Sequence, residues 1–337
     1  MKGIAIIAVV LGHVLLGYGE NDAFGEYNNF FWELKNWIYI WHMPLFLCLS
    51  GYSFCLAYYR NNELNKIKVK SQIINLILLY IIFSIVFYGL KIPMAMFTDN
   101  KMTLSDAIFN LIFPNTLMWY LWVLSIYYIV LLCFKFVKKM LVEKPLIILV
   151  ILLIATYVQR ISATYITWRL CFENLIHGAF YFCLGMVLCF DKKKVIVIRR
   201  ACVGVGMGIV ILHFISFMNW SETLDGFNIF ANEIIAILII LLMFVIAPKS
   251  HDTIRNGGLN RIGKASLVVY LFHTYIVTAM KVFSIKLGLC SGALMNIIII
   301  IISTVFPIAI CYLVDCLRRK SQIIGVFFAP GKLLKMN

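Results

Sequence analysis

The sequence predicts an all-α membrane protein: a bundle of about ten transmembrane helices with both termini on the cytoplasmic side. Three observations carry that prediction. Hydrophobic residues make up 63% of the chain and charged residues 13%, whereas a soluble domain is about half apolar and about a quarter charged. Long apolar runs recur, many of them near the ~20 residues that cross a bilayer. Basic residues gather in every second connecting segment, as expected of a multi-span protein that keeps positive charge inside. The net charge of +15 is thus a topology signal, and nucleic acid is not an expected partner.

Spans are expected at 3–19, 36–59, 73–91, 117–134, 146–158, 174–190, 201–218, 229–247, 267–283 and 293–316. The first has the basic start and small-residue end (Gly17-Tyr18-Gly19) of a cleaved leader. His13 interrupts its apolar run, however, and the charge alternation needs it, so it is read as a retained span. The second and tenth contain Pro44 and Pro307. A proline there bends the helix and leaves a carbonyl for neighbours to satisfy. The inner segments carry Arg60, Lys66, Lys68 and Lys70; Lys135, Lys138, Lys139 and Lys144; Lys192, Lys193, Lys194, Arg199 and Arg200; Lys249, Arg255, Arg261 and Lys264; and Arg318, Arg319, Lys320, Lys332 and Lys335. Most acids fall on the other side: Glu20, Asp22, Glu26, Glu33, Asp99, Asp106, Glu173, Glu222 and Asp225. Both ends therefore fall inside, with an even number of spans. No linker, low-complexity tail or internal repeat interrupts the pattern, so residues 1–337 read as one transmembrane domain in the cell (cytoplasmic) membrane. The ten cysteines include no Cys-x-x-Cys pair and lie mostly in apolar runs. They read as small apolar fillers, and neither a disulfide framework nor a metal site is expected.

Ionisable groups inside spans are costly and mark function by default. His13, His42, His177, His213, Glu233 and His273 all fall in the middle or outer half of their spans, at ~1.5 Å of rise per residue. Lys2 and His13 are eleven residues apart, about three turns, and so share one face roughly 16 Å apart. The pattern suggests two chambers. A basic inner rim suits an anionic, phosphate-bearing donor. An outer polar layer suits a neutral, hydroxyl-rich acceptor, with aromatic surfaces such as Trp32, Trp37, Trp41, Trp119, Trp122 and Trp168 nearby. A histidine between them suits general-base work, because its ordinary pKa lies near neutrality. Plainer explanations compete. Aromatics near span ends usually form interfacial belts, basic runs set topology, and a lone intramembrane histidine often only bonds a neighbouring helix. His213 fits that last description best.

Five motifs in order resemble the acyltransferase 3 family of integral-membrane acyltransferases, in particular its fucose 4-O-acetylase-like branch. They are Lys2-Gly3-Ile4-Ala5-Ile6 through Val9-Val10-Leu11-Gly12-His13; His42-Met43-Pro44-Leu45-Phe46 with Leu49-Ser50-Gly51-Tyr52; Trp119-Tyr120-Leu121; Phe182-Cys183-Leu184-Gly185; and Arg261-Ile262-Gly263-Lys264-Ala265-Ser266-Leu267 with Tyr270-Leu271-Phe272-His273. The resemblance implies acyl-CoA, usually acetyl-CoA, as co-substrate with no bound cofactor. It implies a hydroxyl of an extracytoplasmic or lipid-linked carbohydrate, such as an exopolysaccharide or surface glycan, as acceptor. It makes His13 the essential histidine, as general base or acyl carrier, and Lys2 its basic partner at the donor. Many members have Arg at that position; Lys binds phosphate as a point charge without the bidentate fork. His42, Ser50, Trp119, Glu233 and His273 are expected to position the acceptor or stabilise the oxyanion. The alternative is a carrier or flippase that moves a glycan or acyl donor without chemistry, suggested by Glu233, Lys281 and Asp315 and opposed by the missing repeat.

Overall fold

A computed structural model describes residues 1–60, 63–94, 103–116, 118–163, 165, 170–190, 201–219, 226–246 and 257–330. Asp99, Trp168, Lys192, Lys193, Lys194, Arg199, Arg200, Glu222, Asp225, Lys249, Arg255, Lys332 and Lys335 lie outside the described residues. Each expected span is a helix: α1 (Lys2–Gly19), α2 (Asn28–Tyr58), α3 (Lys66–Met94), α5 (Trp119–Cys133), α7 (Pro145–Ser162), α8 (Leu170–Phe190), α9 (Ala201–Asn219), α10 (Gly226–Ile246), α12 (Ser266–Lys286) and α13 (Gly292–Lys320). Four shorter helices, α4 (Leu104–Ile112), α6 (Lys135–Glu143), α11 (Gly258–Lys264) and α14 (Gln322–Phe327), join or follow them. The chain is an all-α polytopic membrane protein. Among the described residues, eight helices are long and apolar enough to cross a membrane. The two expected spans outside that set are the fourth and seventh. The fourth stops at Cys133 and continues beyond Phe134 as the separate basic helix α6. For the seventh, the described apolar helix covers Val203–Met218. The described cysteines are free thiols.

The chain forms two compact units, Met1–Leu49 with Asp191–Leu317 and Ser50–Phe190 with Arg318–Asn337. In the first unit α1 packs on both α11 and α12. Its first turn lies backbone to backbone on α11: a Cβ on Gly3 would overlap the Leu259 carbonyl. Higher up, the buried Tyr18 hydroxyl bonds Ser284 Oγ at 2.7 Å and Ser303 Oγ at 2.9 Å, tying α1 to α12 and α13 at one point. Beyond α1 the turn is closed by Asp22, in the left-handed region at φ 49°. There Phe24 stacks on Tyr18 at 5.6 Å and packs on Phe31 at 4.5 Å. The Phe24 carbonyl accepts a hydrogen bond from Asn296 Nδ2 at 3.2 Å.

The return helix α2 meets α1 in a fixed register. A Cβ on Gly19 would lie 2.9 Å from the Trp32 ring, and one on Gly12 would lie 2.9 Å from the Tyr39 ring. Both glycines and both aromatics are seven residues apart, two turns, so they recur on one face of each helix. This register sets the depth at which α2 places its polar groups beside those of α1.

The second unit is built on aromatic packing. Phe54 meets Tyr128 at 4.5 Å, Tyr127 meets Phe182 at 5.0 Å, and Gly51 abuts the Phe182 carbonyl, leaving no room for a Cβ. The Tyr127 and Tyr80 hydroxyls donate to the carbonyls of Leu175 and Leu111, each at 2.7 Å. Tyr59-Arg60 pairs with Glu63-Leu64 in a two-residue antiparallel ladder.

Helix α4 begins with a capping box. Thr103 Oγ1 accepts from the Asp106 N–H at 3.1 Å, while Asp106 Oδ2 accepts from the Thr103 N–H at 3.0 Å and its hydroxyl at 2.7 Å. Those donors hold the Asp106 carboxyl below its ordinary pKa. A carboxyl depressed in the folded state stabilises above its unfolded pKa of ~3.9 and loses that contribution as pH falls through the folded value. Thr103→Ala is therefore expected to lower amide protection across 104–112 at neutral pH. The gap between variant and wild type should narrow below about pH 4, which hydrogen exchange at the two pH values checks.

Candidate functional site

Three histidines come together in the first unit. His13 lies two-thirds of the way along α1, beside the glycine that lets α2 approach. The His273 ring, from α12, sits 5.1 Å from the His13 ring at 51°. The Tyr39 ring, from α2, meets His13 edge-on at 6.3 Å and His42 at 4.7 Å. His42 is within electrostatic range of His13. The sequence separates His13 from His273 by 260 residues; the packing of α1 on α12 joins them.

The three rings are not equivalent. His42 Nδ1 is 2.9 Å from the Ile38 carbonyl, and His273 Nδ1 is 2.8 Å from Val269 O and 3.0 Å from Tyr270 O. A carbonyl only accepts, so each Nδ1 carries the hydrogen and donates to its own helix. His42 and His273 are buried, at 2% and 0% exposure, while His13 keeps partial access. Among the described residues His13 takes no hydrogen bond, so both its nitrogens are uncommitted. Two of the three imidazoles thus have Nδ1 engaged by backbone carbonyls, while His13 takes no hydrogen bond among the described residues. Tyr39 Oη is a buried hydroxyl with no hydrogen-bond partner among the described residues. No group of three or more His, Cys, Asp or Glu side chains among the described residues is placed to hold a metal ion.

Lys2 stands at the start of α1 with its side chain exposed. A Cβ on Gly263 would come within 3.3 Å of Lys2 Cβ, so the close packing of α1 on α11 sets Lys2 beside the helix that carries Arg261 and Lys264. A helix N-terminus with nearby cations is a ready anion site. Glu233 is buried on α10, at 4% exposure. Lys35, also buried, holds its ammonium 3.6 Å from the Trp32 ring centroid. This cation–π contact offsets part of the cost of burying that charge.

Ser50 and Trp119 belong to the second unit. There Ser50 Oγ and Tyr120 Oη share a 2.6 Å hydrogen bond, and Trp119 packs edge-on against Tyr120 at 6.1 Å. Sequence reasoning missed Tyr39, because an aromatic near a span end reads as an interfacial anchor. The available signal was Gly12, since a glycine beside an intramembrane histidine implies a close ring. Gly12→Ala puts a methyl against Tyr39 Cε2, the movable edge of a side chain. It is expected to leave insertion intact and shift Tyr39 off His13, lowering turnover about tenfold through misplacement. Turnover measured on the correctly inserted variant checks this.

A family model described as an acyltransferase domain matches residues 1–316. No curated protein and no solved structure matches the chain.

Proposed function

The chain belongs to the acyltransferase 3 family and is a membrane acyltransferase, and on that premise we propose that it moves an acyl group, acetyl in the first instance, from cytoplasmic acyl-CoA to a carbohydrate hydroxyl beyond the membrane. The observation that carries this reading is the uncommitted, partly accessible His13 beside His273 and near His42, whose Nδ1 hydrogens are already engaged. Neutral His13 takes the proton as the acceptor hydroxyl attacks the thioester carbonyl. The tetrahedral oxyanion collapses, the C–S bond breaks, and His13 returns the proton to the leaving CoA sulfur. With two free nitrogens His13 is equally suited to attack the thioester itself, release CoA and pass the acyl group to the hydroxyl. Tyr39 Oη is available to the oxyanion as a buried donor. Lys2, with Arg261 and Lys264 on the adjoining helix, is suited to the phosphates of the donor. The same reading places the protein in the cytoplasmic membrane, with cytoplasmic acyl-CoA at one face and the carbohydrate at the other.

Purified protein in detergent, given acetyl-CoA and a panel of sugars, tests the proposal. CoA is expected to appear in step with acylated sugar. Movement of either compound across vesicles without CoA release would favour a carrier instead. Mass spectrometry after acetyl-CoA alone separates the two routes, because only the covalent one leaves acetyl on the His13 peptide.

A further inference from the structure

His273 combines three properties. Its Nδ1–H is held by the carbonyls of Val269 and Tyr270, so in the neutral ring Nε2 is a lone-pair acceptor. The side chain is fully buried. Nε2 takes no hydrogen bond among the described residues, although buried polar atoms are nearly always paired and an exception calls for a reason. The His13 ring stands beside it, 5.1 Å away between centroids. Two imidazoles joined by an N–H···N bond of ~3 Å have their centroids about 5 Å apart. The observed ring spacing is the one such a bond requires.

We propose that His273 is the positioning residue of this site: its Nε2 accepts the His13 N–H and thereby fixes which His13 nitrogen faces the substrate. The proposal rests on His13 acting as the acid–base group. The proton balance is simple. The hydroxyl proton goes to the substrate-facing nitrogen of His13 and later to the CoA sulfur, while the other His13 hydrogen stays in place, donated to His273. His273 itself keeps one proton throughout. A buried carboxylate orients the catalytic imidazole of hydrolases in this way. A neutral imidazole achieves the same orientation without placing a charge among apolar helices.

Two substitutions of the full chain test it. His273→Gln puts an amide near the Nε2 position, where its oxygen accepts; His273→Leu keeps bulk and removes the acceptor. With acetyl-CoA and a sugar acceptor, Leu is expected to lower kcat by about 10²-fold, with both KM values within about twofold of wild type, and Gln to recover to within about tenfold. Wild-type kcat in the Leu variant, or equal losses in Leu and Gln, would overturn the proposal. If neither variant inserts, histidine ¹⁵N NMR of the wild-type protein decides: a single neutral tautomer of His13 is expected, and a mixture refutes the assignment. A wild-type chain that releases no CoA, or an active His13→Ala, would defeat the acyl-transfer reading itself. An inactive His13→Ala beside a fully active His273→Leu would defeat only this inference.

Discussion

Replacing His13 by alanine is expected to lower acyl transfer by about 10²–10⁴-fold while the protein still inserts and keeps its melting behaviour. The general-base route loses its proton acceptor and the covalent route loses its nucleophile, so both predict the same loss. Stability should change little. His13 makes ring contacts with Tyr39 and His273, and the one acceptor assigned to it, His273 Nε2, is already without a bond in this structure. Alanine is also the best helix former. The check is CoA release measured on variant protein matched to wild type for membrane yield. Retained activity would leave the histidine cluster without a chemical role.

The second large effect falls on folding. Gly51→Ala is expected to destabilise the second unit by at least the ~1–3 kcal/mol typical of overpacking, because the added methyl meets the Phe182 carbonyl, which cannot rotate aside as a side chain can. Helix α2 would have to retreat from α8, opening the aromatic packing of Phe54, Tyr127, Tyr128 and Phe182. Reduced membrane yield and a lowered Tm should appear together. An alanine variant with wild-type Tm would mean the two backbones are not in contact. The contrast with Gly12→Ala is instructive. There the obstacle is the end of the Tyr39 ring, so activity should fall while stability holds.

Much of the fold was legible because a bilayer imposes strict rules. Apolar runs mark spans, and lysines and arginines mark one side, so every expected span is a helix. The breaks were harder to see. The charge pattern ends the fourth span at 134, but it gives no sign that the basic segment beyond Phe134 is itself a helix, α6. At the site, His13, His42 and His273 were each visible as costly residues in apolar surroundings. Their meeting was not, because 260 residues separate the outer two and periodicity says nothing about which helices become neighbours. The difference in their hydrogen bonding was equally hidden: a histidine's choice between its own helix and an empty space is made by rotamer and packing, not by composition. Ser50 and Trp119 resembled the others on motif grounds, and packing assigns them to the second unit.

The seven-residue spacing of the Gly12–Tyr39 and Gly19–Trp32 contacts also restricts how this protein can move while it works. A piston-like slide of α1 along α2 would drive helix backbone into an indole or a phenol at every stop short of two full turns. Adding one residue between Gly12 and Gly19 would rotate one contact by about 100° relative to the other, so both could not form together. The two contacts thus hold α1 and α2 as one paired unit, and the interval between the two glycines is fixed by the interval between the two rings.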